Sequence, residues 1–203
     1  MVRLSKIYTR FGDGGRCMLG DGATVPKSHP RVEAYGEVDE ANSTIGVAVA
    51  EARRAGAEYA PIADLLAGVQ NDLFDVGADL CAPVATDESP NARLRVRPEQ
   101  AERIETLIDE YNADLGVLTS FVLPGGTPLA AALHLARATT RRAERAATHL
   151  RDLEPERTNA AACVYLNRLS DLLFVLARWV NRAAGEGDVL WTPGKSRADA
   201  GSD

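Results

Sequence analysis

The sequence predicts an all-α fold, a bundle of about five helices preceded by an N-terminal arm. Three observations carry that expectation. Hydrophobic residues make up 45% of the 203 residues but aromatics only 5%, with alanine conspicuous, a balance that suits closely packed helices better than a β-sandwich. Apolar residues recur at helical spacing in successive stretches, most clearly at Leu129, Leu133, Ala136, Ala143, Ala147 and Leu150, which at about 100° per residue form one buried stripe. Neither an internal repeat nor a linker separates two cores, so the helices are expected to share one.

Residues 1–30 are punctuated by Gly12, Gly14, Gly15, Gly20, Gly22, Pro26 and Pro30, which rules out a long helix and leaves a structured loop or a disordered arm. Tyr8-Thr9-Arg10-Phe11-Gly12-Asp13-Gly14-Gly15 puts hydroxyl, guanidinium and permissive backbone together, a composition able to form an anion-binding nest. It is not a Walker A loop, and Lys27 downstream is a candidate phosphate contact. From Arg31 to about Gly56 the pattern is helical through Val32, Tyr35, Val38, Ser43 or Ile45, and Val49, with Asp39 and Glu40 in the middle. Pro61 opens a second helix through Ile62, Leu65, Leu66, Val69, Leu73 and Val76, ending near Pro83. Residues 84–97 read as an exposed connection, and Glu99 to Asn112 as a shorter third helix. Pro124-Gly125-Gly126 make a tight turn, Thr127 caps and Pro128 opens the fourth helix. Thr158 to Ala184 form the last and most apolar helix, with Asn167, Asp171, Phe174 and Arg178 on one face. After Gly185 a loose tail is expected. The implied division is an arm over 1–30, a bundle over 31–185 and a tail over 186–203.

A net charge of −6 argues against general nucleic-acid binding. No segment offers about 18 uncharged apolar residues, and no signal peptide is recognisable, so neither a membrane nor export is expected. Cys17, Cys81 and Cys163 are far apart without metal-ligand spacing, which suits a reducing cytoplasm. Basic residues must then act locally. Arg137, Arg141, Arg142 and Arg145 fall within nine residues of the fourth helix. An i, i+3/i+4 ion-pair ladder with Glu144 would account for part of them, but guanidinium forks match phosphate oxygens, so the cluster also suggests a polyphosphate clamp.

Three separated blocks together resemble one family. They are Tyr8-Thr9-Arg10-Phe11-Gly12-Asp13 through Lys27, then Arg31-Val32-Glu33-Ala34-Tyr35-Gly36-Glu37-Val38-Asp39-Glu40-Ala41-Asn42-Ser43, and the pair Phe121 to Arg145 with Tyr165-Leu166-Asn167-Arg168-Leu169-Ser170-Asp171. In order and spacing the chain is similar to the cobalamin adenosyltransferases of the propanediol-utilisation type, which transfer an adenosyl group from ATP to cob(I)alamin. The resemblance implies a five-helix bundle assembling as a homotrimer, with ATP, Mg²⁺ and cobalamin between neighbouring subunits. It implies that Thr9, Arg10, Phe11, Gly12, Cys17, Met18 and Lys27 surround ATP as a mobile arm orders over it. Arg141, Arg142, Ala143, Glu144 and Arg145 match the family's triphosphate-and-ribose helix, and Asn167 a residue near the nucleotide and its magnesium. Arg137 matches an arginine that pairs across the interface, here with Asp39, and Phe121 a residue of the corrinoid pocket. Where the family usually has threonines after its Gly-Asp-x-Gly turn, this chain has Arg16 and Cys17, so any hydroxyl contributed there is lost. A corrinoid reductase and an adenosylcobalamin-dependent enzyme are the implied protein partners.

The chemistry fits these residue types. Cobalt(I) is itself the nucleophile that attacks the ribose C5′, so no side-chain nucleophile is needed, and the sequence offers no convincing triad. His134 and His149 are left as bystanders. Two other readings compete: a non-catalytic corrinoid or nucleotide carrier of the same fold, with Arg16 and Cys17 as signs of decay, and an all-α nucleoside-triphosphate pyrophosphatase. The second wants paired carboxylates around metals, and no such cluster stands out.

Overall fold

A computed structural model of the chain describes residues 7–89 and 91–195, so the first six residues of the expected arm and the last eight of the expected tail lie outside it. The bundle is built from α1 (Pro30–Ala55), α2 (Ala60–Cys81), α3 (Pro98–Asn112), α4 (Pro128–Leu153) and α5 (Ala160–Ala183). The five starts fall within two residues of the expected ones because each carries its own signal. Proline stands in the first turn of α1, α2, α3 and α4, where its missing N–H is no loss. The Thr127 hydroxyl accepts the Ala130 N–H at 3.1 Å, and Asn159 Oδ1 accepts that of Ala161 at 3.0 Å, satisfying donors that a helix start leaves free.

Helix α1 packs between α2 and α4, α4 lies on α5, and α5 on α3. The six stripe residues of α4 are at most 2% exposed. The register expected for α1 needs correction: its buried stripe is Ala34, Val38, Ala41, Ile45, Ala48 and Ala52, while Ser43 and Val47 face outward and Val32 and Tyr35 are only half-buried. The expected Val38, Ile45 and Val49 are buried, but alanines fill the stripe between them, which lets helices approach closely. Helix α5 is the one helix among the described residues long and apolar enough to cross a membrane by composition. Most of it is buried against its neighbours in the bundle.

Two polar knots close the ends. At one end the buried Arg31 guanidinium donates to the Leu80 carbonyl at 2.7 Å, to Glu154 at 2.6 Å and to the Arg157 carbonyl at 3.0 Å, tying the start of α1 to the ends of α2 and α4. Beside it, Asp79 accepts from Arg95 at 2.7 Å, from the Val96 N–H at 2.7 Å and from Asn159 at 2.6 Å. The connection before α3, although mostly exposed, is therefore anchored. At the other end the start of α4 meets the end of α5 through Asn181.

The arm contains a 3₁₀ turn at Phe11–Gly14 and an antiparallel hairpin of β1 (Arg16–Met18) and β2 (Thr24–Pro26), with Cys17 opposite Val25. Strands of three residues leave too little periodicity to read. The hairpin is seated on the end of α2: the Gly20 N–H donates to the Cys81 carbonyl at 2.9 Å, and a Cβ on Gly20 would stand 2.8 Å from that of Ala82. The expectation of a loose tail is corrected for its first residues. Val122 and Leu190 form an antiparallel bridge, the Leu123 N–H donates to the Val189 carbonyl at 2.7 Å, and the Trp191 N–H to that of Phe121 at 2.8 Å. Their backbone groups find partners in the 121–123 segment rather than in water.

Candidate active site

The sequence-derived residues gather into three groups. The first lies where the middle of α4 faces α5. Arg141 approaches Glu144 at 3.5 Å on the same helix, and Asn167 of α5 donates to the other Glu144 oxygen at 2.6 Å. Arg145 donates to the Arg141 carbonyl at 3.2 Å, leaving it stacked one turn beyond. Arg168 donates to Asn167 Oδ1 and lies 3.0 Å from Asp171, a second layer that fixes the Asn167 side-chain amide. Glu144 is mostly covered whereas Arg141 and Arg145 are exposed. Two guanidinium groups thus project outward from a carboxylate and an amide held in place beneath them. Such an arrangement can grip an anion while orienting the groups next to it.

Two residues expected here are elsewhere. Ala143 is fully buried in the core stripe, because it is one residue round the helix from Arg142 and belongs to the face that packs on the bundle. It cannot touch a ligand with its side chain. Arg142 turns toward α1, where Glu37 and Glu40 hold it in two ion pairs.

The second group surrounds Phe121. This ring is 77% exposed, so it is not a core residue capping the bundle. It meets the Trp191 ring at 5.9 Å between centroids, and its backbone is clamped by the tail. The turn that follows is fixed from α5: Asn181 Oδ1 accepts from the Thr127 N–H at 3.0 Å, and its amide donates to the Gly125 carbonyl at 3.1 Å. Gly126 has φ +94°, and a Cβ there would stand 2.2 Å from Asn181 Oδ1, so only glycine fits both the backbone and the space. Asn181, Arg178 and Trp191 were missed by sequence reasoning. An asparagine two residues from the end of an apolar helix is the one signal that could have pointed to the first of them.

The third group is the arm. The Arg10 guanidinium lies over the Tyr8 ring at 5.8 Å, Phe11 and Met18 are exposed, and the Lys27 N–H donates to the Gly15 carbonyl at 2.9 Å. Lys27 Nζ would stand 3.2 Å from a Cβ on Gly12, so the ammonium sits over the 3₁₀ turn. Arg16 and Cys17 have local work: Arg16 donates across the hairpin to the Thr24 carbonyl at 2.6 Å, and the Cys17 thiol lies 3.1 Å from the Tyr35 hydroxyl. Burial, with Cys17 second, pushes the Tyr35 phenol well above its ordinary range. Among the described residues no hydrogen bond or ion pair joins Thr9, Arg10, Phe11, Gly12, Cys17, Met18 or Lys27 to the Arg141 group. Arg137 and Asp39 form no ion pair within the chain either: Asp39 is exposed, and Arg137 Nε is buried without a partner. His134 is 3% exposed with neither ring nitrogen bonded, and burial, then Arg137, hold its pKa below the ordinary value.

Comparison with known proteins follows this geometry. Residues 7–180 match the family model for cobalamin adenosyltransferase. The chain is 48% identical over 197 residues to the corrinoid adenosyltransferase of Mycobacterium tuberculosis, covering 97% of each, and 42% identical over 184 residues to that of Bacillus subtilis, covering 91% of each. Among solved structures, a phenylalanine-to-histidine variant of the PduO-type ATP:corrinoid adenosyltransferase from Lactobacillus reuteri, complexed with cobalamin and ATP, matches with a TM-score of 0.84. It is 38% identical, and the match covers 93% of this chain and 97% of that one.

Proposed function

The chain belongs to the cobalamin adenosyltransferase family, and from that premise we propose how its own residues carry out the transfer of the adenosyl group of ATP to the cobalt of a corrinoid. The observation that carries the reading is the convergence of Arg141, Glu144 and Asn167 between α4 and α5.

Cobalt(I) attacks C5′ of the ribose with its electron pair, a Co–C bond forms, the C5′–O bond breaks, and triphosphate departs with the bonding electrons. No protein nucleophile takes part, so the residues orient ATP and stabilise the leaving charge. Arg141 and Arg145 are the triphosphate contacts. Glu144, held by Asn167, fixes the Arg141 fork and reaches the ribose. Magnesium would enter with ATP: Glu144 and Asn167 offer a carboxylate and an amide side by side, which fits an ion held mainly by phosphate oxygens and water. Bound there, it would neutralise triphosphate charge. Arg141 lies 14 residues beyond the Thr127 cap, roughly 20 Å along α4 from the Phe121 end. Triphosphate, ribose and macrocycle laid end to end span a similar length, which supports Phe121 as the contact to the corrinoid's lower face.

The arm, with Thr9 to Gly12 and Lys27, closes over ATP from a neighbouring subunit of a homotrimer. The exposed Asp39 and the half-buried Arg137, whose Nε has no hydrogen-bond partner among the described residues, support this, since neither charge is paired with the other within the chain. The chain then divides by task into the arm (1–30), the bundle (31–185) and the tail (186–203). An external reductase supplies cobalt(I), and the product serves an adenosylcobalamin-dependent enzyme. The free thiols Cys17, Cys81 and Cys163 fit a cytoplasmic setting.

Steady-state kinetics on Arg141→Ala test the central assignment. Loss of a forked phosphate contact should raise KM for ATP by about tenfold or more and leave KM for the corrinoid near the parent value. An unchanged KM for ATP would remove Arg141 from the site.

A further inference from the structure

Arg178 stands at the last turns of α5, 7% exposed, and joins two segments distant in sequence. Its Nε donates to Asp188 Oδ2 at 2.9 Å, and Nη2 donates to the Gly116 carbonyl at 2.8 Å. Gly116 lies in the loop leading to Phe121, and Asp188 opens the tail segment whose residues 189–191 pair with residues 121–123. One guanidinium therefore holds the two segments that lead into the paired strands presenting the Phe121 ring, while Phe121 itself projects into solvent.

The energetics argue against a purely stabilising pair. A buried ion pair adds little net stability because desolvation offsets the attraction, but it does hold geometry. This one is left incompletely satisfied: among the described residues Asp188 Oδ1 is buried with no hydrogen-bond partner, and the nitrogens of His134, which feels the Asp188 charge, are likewise unpartnered. Apolar packing would anchor a tail at lower cost.

We propose that Arg178 and Asp188 are positioning residues for the corrinoid step, acting through Phe121 by fixing the register of the tail against the 121–123 segment. The proposal rests on Phe121 being the corrinoid contact. If the pair acts through Phe121, its loss affects only what Phe121 does; if it merely supports the fold, its loss affects everything.

The test is a double-mutant cycle on the full chain. For parent, Asp188→Asn, Phe121→Ala and the double variant, the rate started from cobalt(II) corrinoid with a mild reductant is divided by the rate started from cobalt(I). Asp188→Asn should lower this ratio by about fivefold or more in the parent and leave it unchanged in the Phe121→Ala background. KM for ATP should stay at the parent value. Arg178→Lys, which keeps the charge but cannot reach Gly116 and Asp188 together, gives a second reading and should lower the ratio in the same way. An unchanged ratio in both variants, or an equal fall in both backgrounds, overturns the proposal. If Phe121→Ala alone leaves the ratio at the parent value, it is the reading of Phe121 that has failed, and the proposal falls with it.

Discussion

At the scale of single residues, exposure separates a structural role for Phe121 from a ligand-facing one. A ring 77% exposed contributes little to the core, so Phe121→Ala should cost under about 1 kcal/mol of stability. In the role proposed for it, the ring would lie against the lower face of the macrocycle and exclude an axial base and water, leaving a cobalt(II) that is easier to reduce. The variant should therefore lose most activity when turnover starts from cobalt(II) and a mild reductant, and keep much more when supplied with cobalt(I). Equal losses in both assays with a lowered melting temperature would make it a structural residue after all. Ala143 and Arg142 carry the opposite lesson. The match to the family's triphosphate-and-ribose helix placed them in the site, but in this chain 100° per residue sends one into the core and the other to the carboxylates of α1.

Among the elements, helices were legible and clamps were not. Proline at helix starts, Thr127 as a cap and the apolar stripe of α4 each act within a few residues, so their signal lies in one stretch of chain. The α1 register was right at Val38, Ile45 and Val49 and misled at Val32, Tyr35 and Ser43, because the alanines that complete its packing surface are overlooked by a reading weighted to bulky residues. The hairpin at Arg16–Met18 and Thr24–Pro26, the pinned tail and the Asn181 bracket pair residues far apart in sequence, and no local pattern announces them. The Pro124-Gly125-Gly126 turn was readable as a turn, though not the reason for its second glycine. Gly126→Ala should be destabilising by a few kcal/mol, combining a strained φ with a collision at Asn181. Thermal unfolding checks this: a melting temperature within a degree or so of the parent would mean the turn can yield, and Asn181 does not set it.

For the whole molecule, one chain supplies an Arg141 group, a Phe121 clamp and an arm that no hydrogen bond or ion pair joins among the described residues, which is the arrangement expected if neighbours complete each site. Arg137→Ala removes one partner of an ion pair assigned to the interface with Asp39, and should weaken both assembly and turnover by a few kcal/mol in total. Sedimentation of the variant alongside its activity decides this, since an intact oligomer with parental turnover would leave Arg137 outside any interface. The account as a whole stands on one reaction. Protein, MgATP and chemically reduced cob(I)alamin, mixed under anaerobic conditions, should yield a light-sensitive adenosylated corrinoid together with an equal amount of triphosphate. Absence of the adenosylated product, or release of pyrophosphate in place of triphosphate, would contradict it.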